Sequence, residues 1–204
     1  MKIRQAHHSD GHTLAQLVLS SAPDVLAVIF DINVKLSAIN FLRSSLSTPH
    51  GQYGYSNHWV AEIDNRVVGC LCPWHRDLLS SFHQATLIQL ARFYGVDHAI
   101  SVVKASQVLQ DCIPKPKKHE WCIGHFAVLA QYQNQGIGSA LLTLMHKQAL
   151  IAGKLALSLD VDSDNTQATN FYLRQGFVNK KKSGVSLRMQ NLSIGSHLHL
   201  SKDL

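Results

Sequence analysis

Apolar positions in the C-terminal half of the chain switch between the periods of strands and helices. The run at 120–129 is almost continuously apolar after its first residue, which is typical of a buried strand. Helical spacing follows over 138–152, strict alternation over 155–161, and a second helical pattern over 165–175. Gly153 stands where glycine commonly ends a helix. This half therefore predicts a β-α-β-α order, completed by β candidates at 177–178 and 185–192.

The N-terminal half begins with a predicted strand at 2–6 and continues with helical patterns up to residue 46. Two β-rich runs follow, at 58–63 and 66–72, and Asp64-Asn65 joins them. An Asp-Asn pair between two such runs is a strong signal for a tight hairpin.

Residues 77–112 carry mostly helical spacing and no strong strand signal. The Pro- and Lys-rich segment that follows, up to residue 118, is typical of a stiff connector. We therefore predict one mixed α/β (α+β) domain over 1–192, in which 77–118 form a helical insertion and linker. The last residues, 193–204, are predicted to be a C-terminal tail.

Composition narrows the class of protein. The chain has 204 residues, of which 46% are hydrophobic and 16% charged, as in a globular domain. No apolar run approaches the ~18 residues of a membrane span, and the start lacks the features of a signal peptide. The net charge of +6 comes from scattered basic residues, so no nucleic-acid partner is expected. We expect a cytoplasmic protein with reduced cysteines.

The thirteen histidines do not show the spacing of a zinc site, so no metal is expected. His197 and His199 lie near the C-terminus and are predicted to be exposed.

The segment Gln133–Gly138 lies between the predicted strand and the predicted helix at 138–152, and it carries two glycines. The first N–H groups of a helix have no partner inside it and favour an anion. Glycine lets such a ligand approach the backbone closely. A phosphate site is therefore predicted. A P-loop is excluded by its missing lysine, whereas a dinucleotide fingerprint stays open, because Asp160 lies about 20 residues on, although Leu141 replaces the third glycine.

Three motifs together carry a family resemblance. Phe126-Ala-Val precedes the Gln133-x-x-Gly-x-Gly turn, and Asn165-x-x-Ala-x-x-Phe-Tyr-x-x-x-Gly-Phe follows it. This combination resembles the GNAT superfamily of N-acetyltransferases over 120–178, and more weakly over 1–75. The resemblance implies a mostly antiparallel, twisted sheet with helices on both faces, and direct transfer of acetyl from acetyl-CoA to an amine in a ternary complex.

The same resemblance implies which residues bind acetyl-CoA. The pyrophosphate would rest on the turn, the pantetheine arm would run along the strand before it, and the next helix would complete the site. The implied residues are Phe126, Ala127, Val128, Gln133, Asn134, Gln135, Gly136, Ile137, Gly138, Ser139, Asn165 and Tyr172.

Three residues are candidates for proton transfer. By resemblance Tyr172 would lie near the sulfur, where a phenol could protonate the departing thiolate. The resemblance implies that the glutamate that acts as a base in the histone-acetylating branch corresponds to Cys122 here. Glu120 lies on the same face of the strand, about 6–7 Å further along, and His125 titrates in the appropriate range. Either is a candidate base, and the absence of a dedicated base stays open.

The acceptor is predicted only as a small-molecule or peptide amine, and no membrane partner is expected. Tyr53, Tyr55, His58 and Trp59 are candidates for lining its pocket. Two alternatives stay open: a CoA-binding sensor or interaction module with weak turnover, and an acyltransferase that uses another acyl-CoA. A homodimer is also open.

Overall fold

The computed structural model describes the backbone of residues 1–183, 187–189 and 192–204, so part of the predicted strand at 185–192 lies outside the described residues. In the described part no single helix is long and apolar enough to cross a membrane, whereas the bent pair His8–Ser21 and Pro23–Phe30, at 104°, meets that criterion by length and composition alone. The helices are α1 (Gly11–Ser21), α2 (Pro23–Phe30), α3 (Ala38–Ser45), α4 (Ser80–Tyr94), α5 (Val96–Val108), α6 (Ile137–Ile151) and α7 (Thr166–Arg174).

Seven strands form one mostly antiparallel sheet in the order β1-β2-β3-β4-β5-β9-β6. The strands are β1 (Lys2–Gln5), β2 (Trp59–Ile63), β3 (Arg66–Trp74), β4 (Glu120–Val128), β5 (Ala156–Asp162), β6 (Val178–Lys182) and β9 (His197–Asp203). Two shorter strands, β7 (Leu187–Met189) and β8 (Leu192–Ile194), pair with each other outside it. The mixed α/β fold class predicted from the sequence is confirmed.

The centre of the sheet opens between β4 and β5. These strands run parallel and pair only from Glu120 with Ala156 to Cys122 with Ser158. Beyond Cys122, β4 continues to Val128 in contact with β3, whereas β5 continues in contact with β9. The divergence leaves space beside the second half of β4, next to the start of α6.

Helices cover both faces of the sheet, as successive strand residues show. Val60 and Cys70 pack with the helices α1 to α5 in one core. Ala61 and Leu71, the next residues along the same strands, pack with α6 and α7 in the other. Because side chains alternate across a strand, one apolar strand supplies both cores. This explains why the central strands read as nearly continuous apolar runs.

The predicted hairpin and the predicted helical segment are both present. Asp64 and Asn65 adopt positive φ angles of 49° and 60°, as a tight turn between β2 and β3 requires. The segment 77–112 contains α4 and α5, which pack against the N-terminal helices through buried residues such as Leu90 and Val102.

The prediction of a C-terminal tail over 193–204 is wrong. β9 lies inside the sheet, between β5 and β6, and its Leu200 is fully buried. His197 is 5% exposed and His199 is held by Asp160, so neither is an exposed terminal histidine as predicted. Its polar residues made this strand look like an exposed tail in the sequence. In the structure, hydrogen-bond partners within the fold satisfy those residues.

Candidate active site

A cleft of about 670 Å³ lies where β4 and β5 diverge, between the end of β4 and the first turns of α6 and α7. Glu120, His125 and Gln135 do not line this cleft, and the Gln135 amide instead donates to the Gln131 carbonyl at 3.1 Å. The other residues of the predicted set all line it, namely Phe126, Ala127, Val128, Gln133, Asn134, Gly136, Ile137, Gly138, Ser139, Asn165 and Tyr172.

The floor of the cleft is a row of unpartnered backbone N–H groups. Gly136 precedes α6 with a left-handed φ of 80°, and a Cβ there would meet nothing within 4 Å. The first bond of the helix runs from the Ala140 N–H to the Gly136 carbonyl, at 3.0 Å. Across the described residues, the N–H groups of 134–139 find no protein acceptor. Such a row at the positive end of a helix dipole is complementary to an anionic ligand.

Side chains hold this turn in place. The Gln133 side-chain amide donates to the Val128 carbonyl at 3.0 Å and accepts from the Gln167 amide at 3.3 Å. It thereby joins the end of β4 to α7. Asn165 caps α7 by accepting from the Ala168 N–H at 3.0 Å. Asn165 is therefore a helix cap that also lines the cleft.

β4 is interrupted at the edge of the cleft. Cys70 pairs with Ala127, whereas Cys72 pairs with Gly124, so β4 holds one residue more than β3 in this interval. His125 is at this extra position, and its φ of 47° lies in the left-handed region. The bulge thus lies directly before Phe126, the first residue of β4 that lines the cleft. A bulge re-aims neighbouring backbone groups and side chains.

Tyr172 lines the cleft from α7 with only 8% of its surface exposed. Phe126, Phe171 and Phe177 surround its ring with centroids 5.3 to 6.0 Å away. Burial raises the pKa of the phenol above its usual range, so the hydroxyl stays protonated at neutral pH. Its O–H makes no hydrogen bond with the described protein groups and is available to a ligand.

The structure corrects the assignment of Glu120 as a candidate base. Its carboxylate is 2% exposed, accepts from the Lys117 N–H at 2.7 Å and lies 3.6 Å from Nε2 of His199. Burial raises the pKa of Glu120, but the bond from Lys117 and the charge of His199 outweigh burial and hold it below its usual value. Glu120 begins β4, so it lies roughly 20 Å along the strand from Phe126. It is a structural carboxylate, neither solvated nor near the cleft.

His125 belongs to a group of side chains on the opposite side of β4 from α6. Its Nδ1 lies 2.9 Å from Nε2 of His58, and its ring stacks on Tyr53 with centroids 5.4 Å apart. Trp74 meets it edge-on at 5.5 Å. The ligand atoms of His58, His125 and Cys72 lie within 4.8 Å of one another, so this trio has the composition of a metal site. Of the predicted acceptor-pocket residues, Tyr53 and His58 thus contact His125.

Sequence reasoning missed several residues that line the cleft. Ser20 and Ser21 reach it from the end of α1, and Gln167, Arg174 and Gln175 reach it from α7 and its end. A signal existed for Gln175, which lies three positions, or about one helical turn, after Tyr172. The two serines had no such signal, since only the packing of α1 over the sheet brings them there.

Comparisons with known proteins agree with this architecture. A family model described as the acetyltransferase (GNAT) family matches residues 36–177. An N-acetyltransferase structure from Staphylococcus aureus Mu50 is similar, with a TM-score of 0.71 and 20% identity, over 98% of this chain and 100% of that one. Another structure, described as an acetyltransferase, has a TM-score of 0.60 and 24% identity over 100% and 99% of the chains.

A third similar structure is yncA from Salmonella typhimurium, described with its cofactor acetyl-CoA. It has a TM-score of 0.57 and 13% identity over 100% of this chain and 94% of that one. At these identities the structures establish a shared fold. A comparison with curated protein sequences gives no match.

Proposed function

Since the chain belongs to the acetyltransferase (GNAT) family, we propose that it transfers the acetyl group of acetyl-CoA to an amine acceptor within a ternary complex. The observation that carries this proposal is the row of unpartnered N–H groups at 134–139, set around Gly136 at the floor of the cleft. A pyrophosphate needs several donors at close range, and this backbone supplies them without a side chain in the way.

The chemistry of the cleft fits CoA as the cosubstrate. The N–H groups of 134–139 would hold the pyrophosphate, and the backbone of 126–128 would accompany the pantetheine arm. Bound acetyl-CoA supplies an activated acyl group with a thiolate leaving group. The bulge at His125 would aim a backbone N–H of the adjoining segment at the thioester oxygen, where charge develops as the amine attacks.

Tyr172 is the proposed general acid. Its hydroxyl is protonated, its side chain lines the cleft, and no described protein group bonds to it. It can therefore donate its proton to the departing thiolate. The aromatic rings around it fix the direction of the phenol and exclude water from its neighbourhood.

One observation favours a second function, a CoA sensor with little turnover. No carboxylate is among the described residues that line the cleft. Where related enzymes carry a glutamate, this chain has Cys122, and burial raises the pKa of its thiol far above the usual range, so the thiol is no base. A sensor would need the N–H groups of 134–139 to bind CoA, but it would not need a base.

A panel of amines separates the two functions. The protein is mixed with acetyl-CoA and, in turn, with small amines, polyamines, aminoglycosides and peptides with free N-termini, and the free CoA thiol is measured over time. Transfer predicts thiol release that depends on one class of amine, together with a product that is one acetyl group heavier. Saturable binding of acetyl-CoA without release on any amine would favour the sensor. Absence of binding would contradict both functions.

A further inference from the structure

We propose that His125 is the base that takes the proton from the acceptor ammonium, and that His58 is the positioning residue that gives His125 the required tautomer. This inference rests on the proposed acetyl transfer and identifies the group that the transfer still lacks. Its evidence is a chain of three hydrogen-bonding groups, from the Gly54 carbonyl through the His58 ring to the His125 ring.

The direction of each bond in this chain is fixed by its first member. A carbonyl oxygen can only accept, so Nδ1 of His58, 2.9 Å from the Gly54 carbonyl, carries a proton. In a neutral imidazole the other nitrogen is then an acceptor. Nε2 of His58 therefore accepts from Nδ1 of His125 across 2.9 Å. It follows that Nε2 of His125 holds a lone pair and no proton.

Burial keeps both rings in the neutral form that this argument requires. His58 is fully buried, and burial lowers its pKa to about 4, against the smaller opposing effect of the Gly54 bond. Burial also lowers the pKa of His125 well below its usual value, and the neighbouring His58 adds to the effect. At neutral pH the pair is therefore uncharged, and Nε2 of His125 keeps its lone pair.

The geometry is that of a hydrogen bond and not of a metal site. The two rings are within 10° of coplanar, and their centroids lie 5.2 Å apart. The ring centroids are farther apart than the 2.9 Å between the nitrogens by about two ring radii, one for each ring. Each bonding nitrogen therefore lies on the line that joins the two ring centres. Lone pairs that bind one ion must converge on a point beside that line. Cys72 would supply the third ligand atom of a metal site, but the two imidazole nitrogens point at each other and not at a shared ion.

His125 lies beside the cleft, on the side of β4 opposite α6. His125 is the bulged residue directly before Phe126, which lines the cleft. Tyr53 stacks on its ring, and Trp74 meets its edge, so the ring is clamped but still partly exposed. Within the described residues, no group bonds to its Nε2. An acceptor amine that reaches this side of β4 would find that nitrogen open.

The proton and electron balance of the step is complete with these groups. Nε2 of His125 takes one proton from the ammonium, and the freed lone pair forms the C–N bond to the acetyl carbon. The C–S bond breaks, and its electron pair leaves with sulfur, which takes the Tyr172 proton. The phenolate then takes the surplus proton from the new amide nitrogen, and His125 releases its proton to water. The products are the amide, CoA thiol and one proton.

Nitrogen NMR of the wild-type protein, with its histidines labelled, tests the tautomer without any substitution. The expected spectrum shows His125 protonated at Nδ1 and bare at Nε2, and His58 in the same state, at pH 7. A His125 protonated at Nε2 or at both nitrogens would overturn the proposal. This readout needs neither cosubstrate nor acceptor, so it is independent of whether the proposed function holds.

Three variants then test the roles. His125→Gln should lower kcat by about 100-fold or more, the usual scale of a lost general base, with unchanged affinity for acetyl-CoA. His58→Phe removes the acceptor, so His125 should shift towards the Nε2–H form and kcat should fall by at least about tenfold. His58→Gln keeps an amide donor for Gly54 and an oxygen for His125, and should restore both the tautomer and most of the rate.

The outcomes separate the inference from the proposed function. Turnover that survives His125→Gln in a folded protein would refute the base. Stoichiometric binding of added zinc by the wild type, lost in His58→Gln, would refute the hydrogen-bonded pair in favour of a metal site. If the tautomer is as stated but no amine reacts, the proposed function fails together with the base role. If amines react while His58→Phe leaves kcat unchanged, only the positioning role fails.

Discussion

Two glycines at opposite ends of α6 allow a matched test of the anion cradle, the name we give to the row of N–H groups of 134–139. Gly136 precedes the helix with φ 80°, and Gly153 follows it with φ 68°. A Cβ at either position would meet nothing within 4 Å. The two sites thus impose the same backbone penalty on any other residue and differ chiefly in that Gly136 lines the cleft and Gly153 does not. We therefore compare Gly136→Glu with Gly153→Glu.

The structure sets the size of both effects. A non-glycine residue in the left-handed region costs about 1–2 kcal/mol, so each variant should melt a few degrees lower, about 2–4 °C for each kcal/mol. At Gly136 the new carboxylate also stands among the N–H groups and repels phosphate. Loss of two charge-assisted hydrogen bonds, at about 1.5–3 kcal/mol each, weakens binding by at least about 100-fold.

Calorimetric titration with acetyl-CoA measures the affinity, and circular dichroism measures the melting temperature. We expect similar losses of melting temperature in the two variants and a loss of affinity in Gly136→Glu alone. Equal affinity in both variants, with both folded, would refute the cradle. A much larger loss of stability in Gly136→Glu would instead show that the turn has a structural role beyond its backbone conformation.

Three further predictions concern single side chains. Tyr172→Phe should lower kcat by about 100-fold with little change in acetyl-CoA affinity; an unchanged kcat would remove the acid role. Because the pKa of His58 is about 4 when folded and about 6.5 when unfolded, its contribution of about 3 kcal/mol is present above pH 6.5 and is lost as pH falls towards 4. Urea unfolding at each pH should show a flatter decline in His58→Gln, and parallel declines would contradict the assignment. A Cβ at Gly124 would overlap the Trp74 ring, so Gly124→Ala should cost about 1–3 kcal/mol, whereas Gly195→Ala, which makes only ordinary contacts, should cost less; equal unfolding midpoints would show that Trp74 moves aside freely.

The parts of the fold that sequence predicts well are those fixed by local chemistry. Asp64-Asn65 tolerates the left-handed conformations of a hairpin, and Gly153 ends α6 for the same reason. The row of N–H groups after Gln133 follows from the order of strand, glycine turn and helix. In each case the residues that determine the structure lie within a few positions of one another.

The parts that sequence does not predict depend on distant partners. β9 reads as a polar tail because the groups that satisfy its histidines, such as Asp160, lie far away along the chain. The sequence predicts Glu120 as a candidate base, whereas in the structure its carboxylate accepts from the Lys117 N–H and lies against His199. The pairing of His58 with His125 joins residues 67 positions apart. No periodicity signals such a pair, since each histidine alone is compatible with many environments.

The most direct test of the account is to follow the backbone amides of the cleft while CoA is added to the labelled protein. The central claim is that the N–H groups of 134–139 hold the pyrophosphate, so these amide resonances should shift most in a proton–nitrogen NMR titration, with smaller shifts at 126–128. Inorganic pyrophosphate at high concentration should move the first group and leave the second in place. Saturable binding of CoA that leaves the resonances of 134–139 unmoved would contradict the claim.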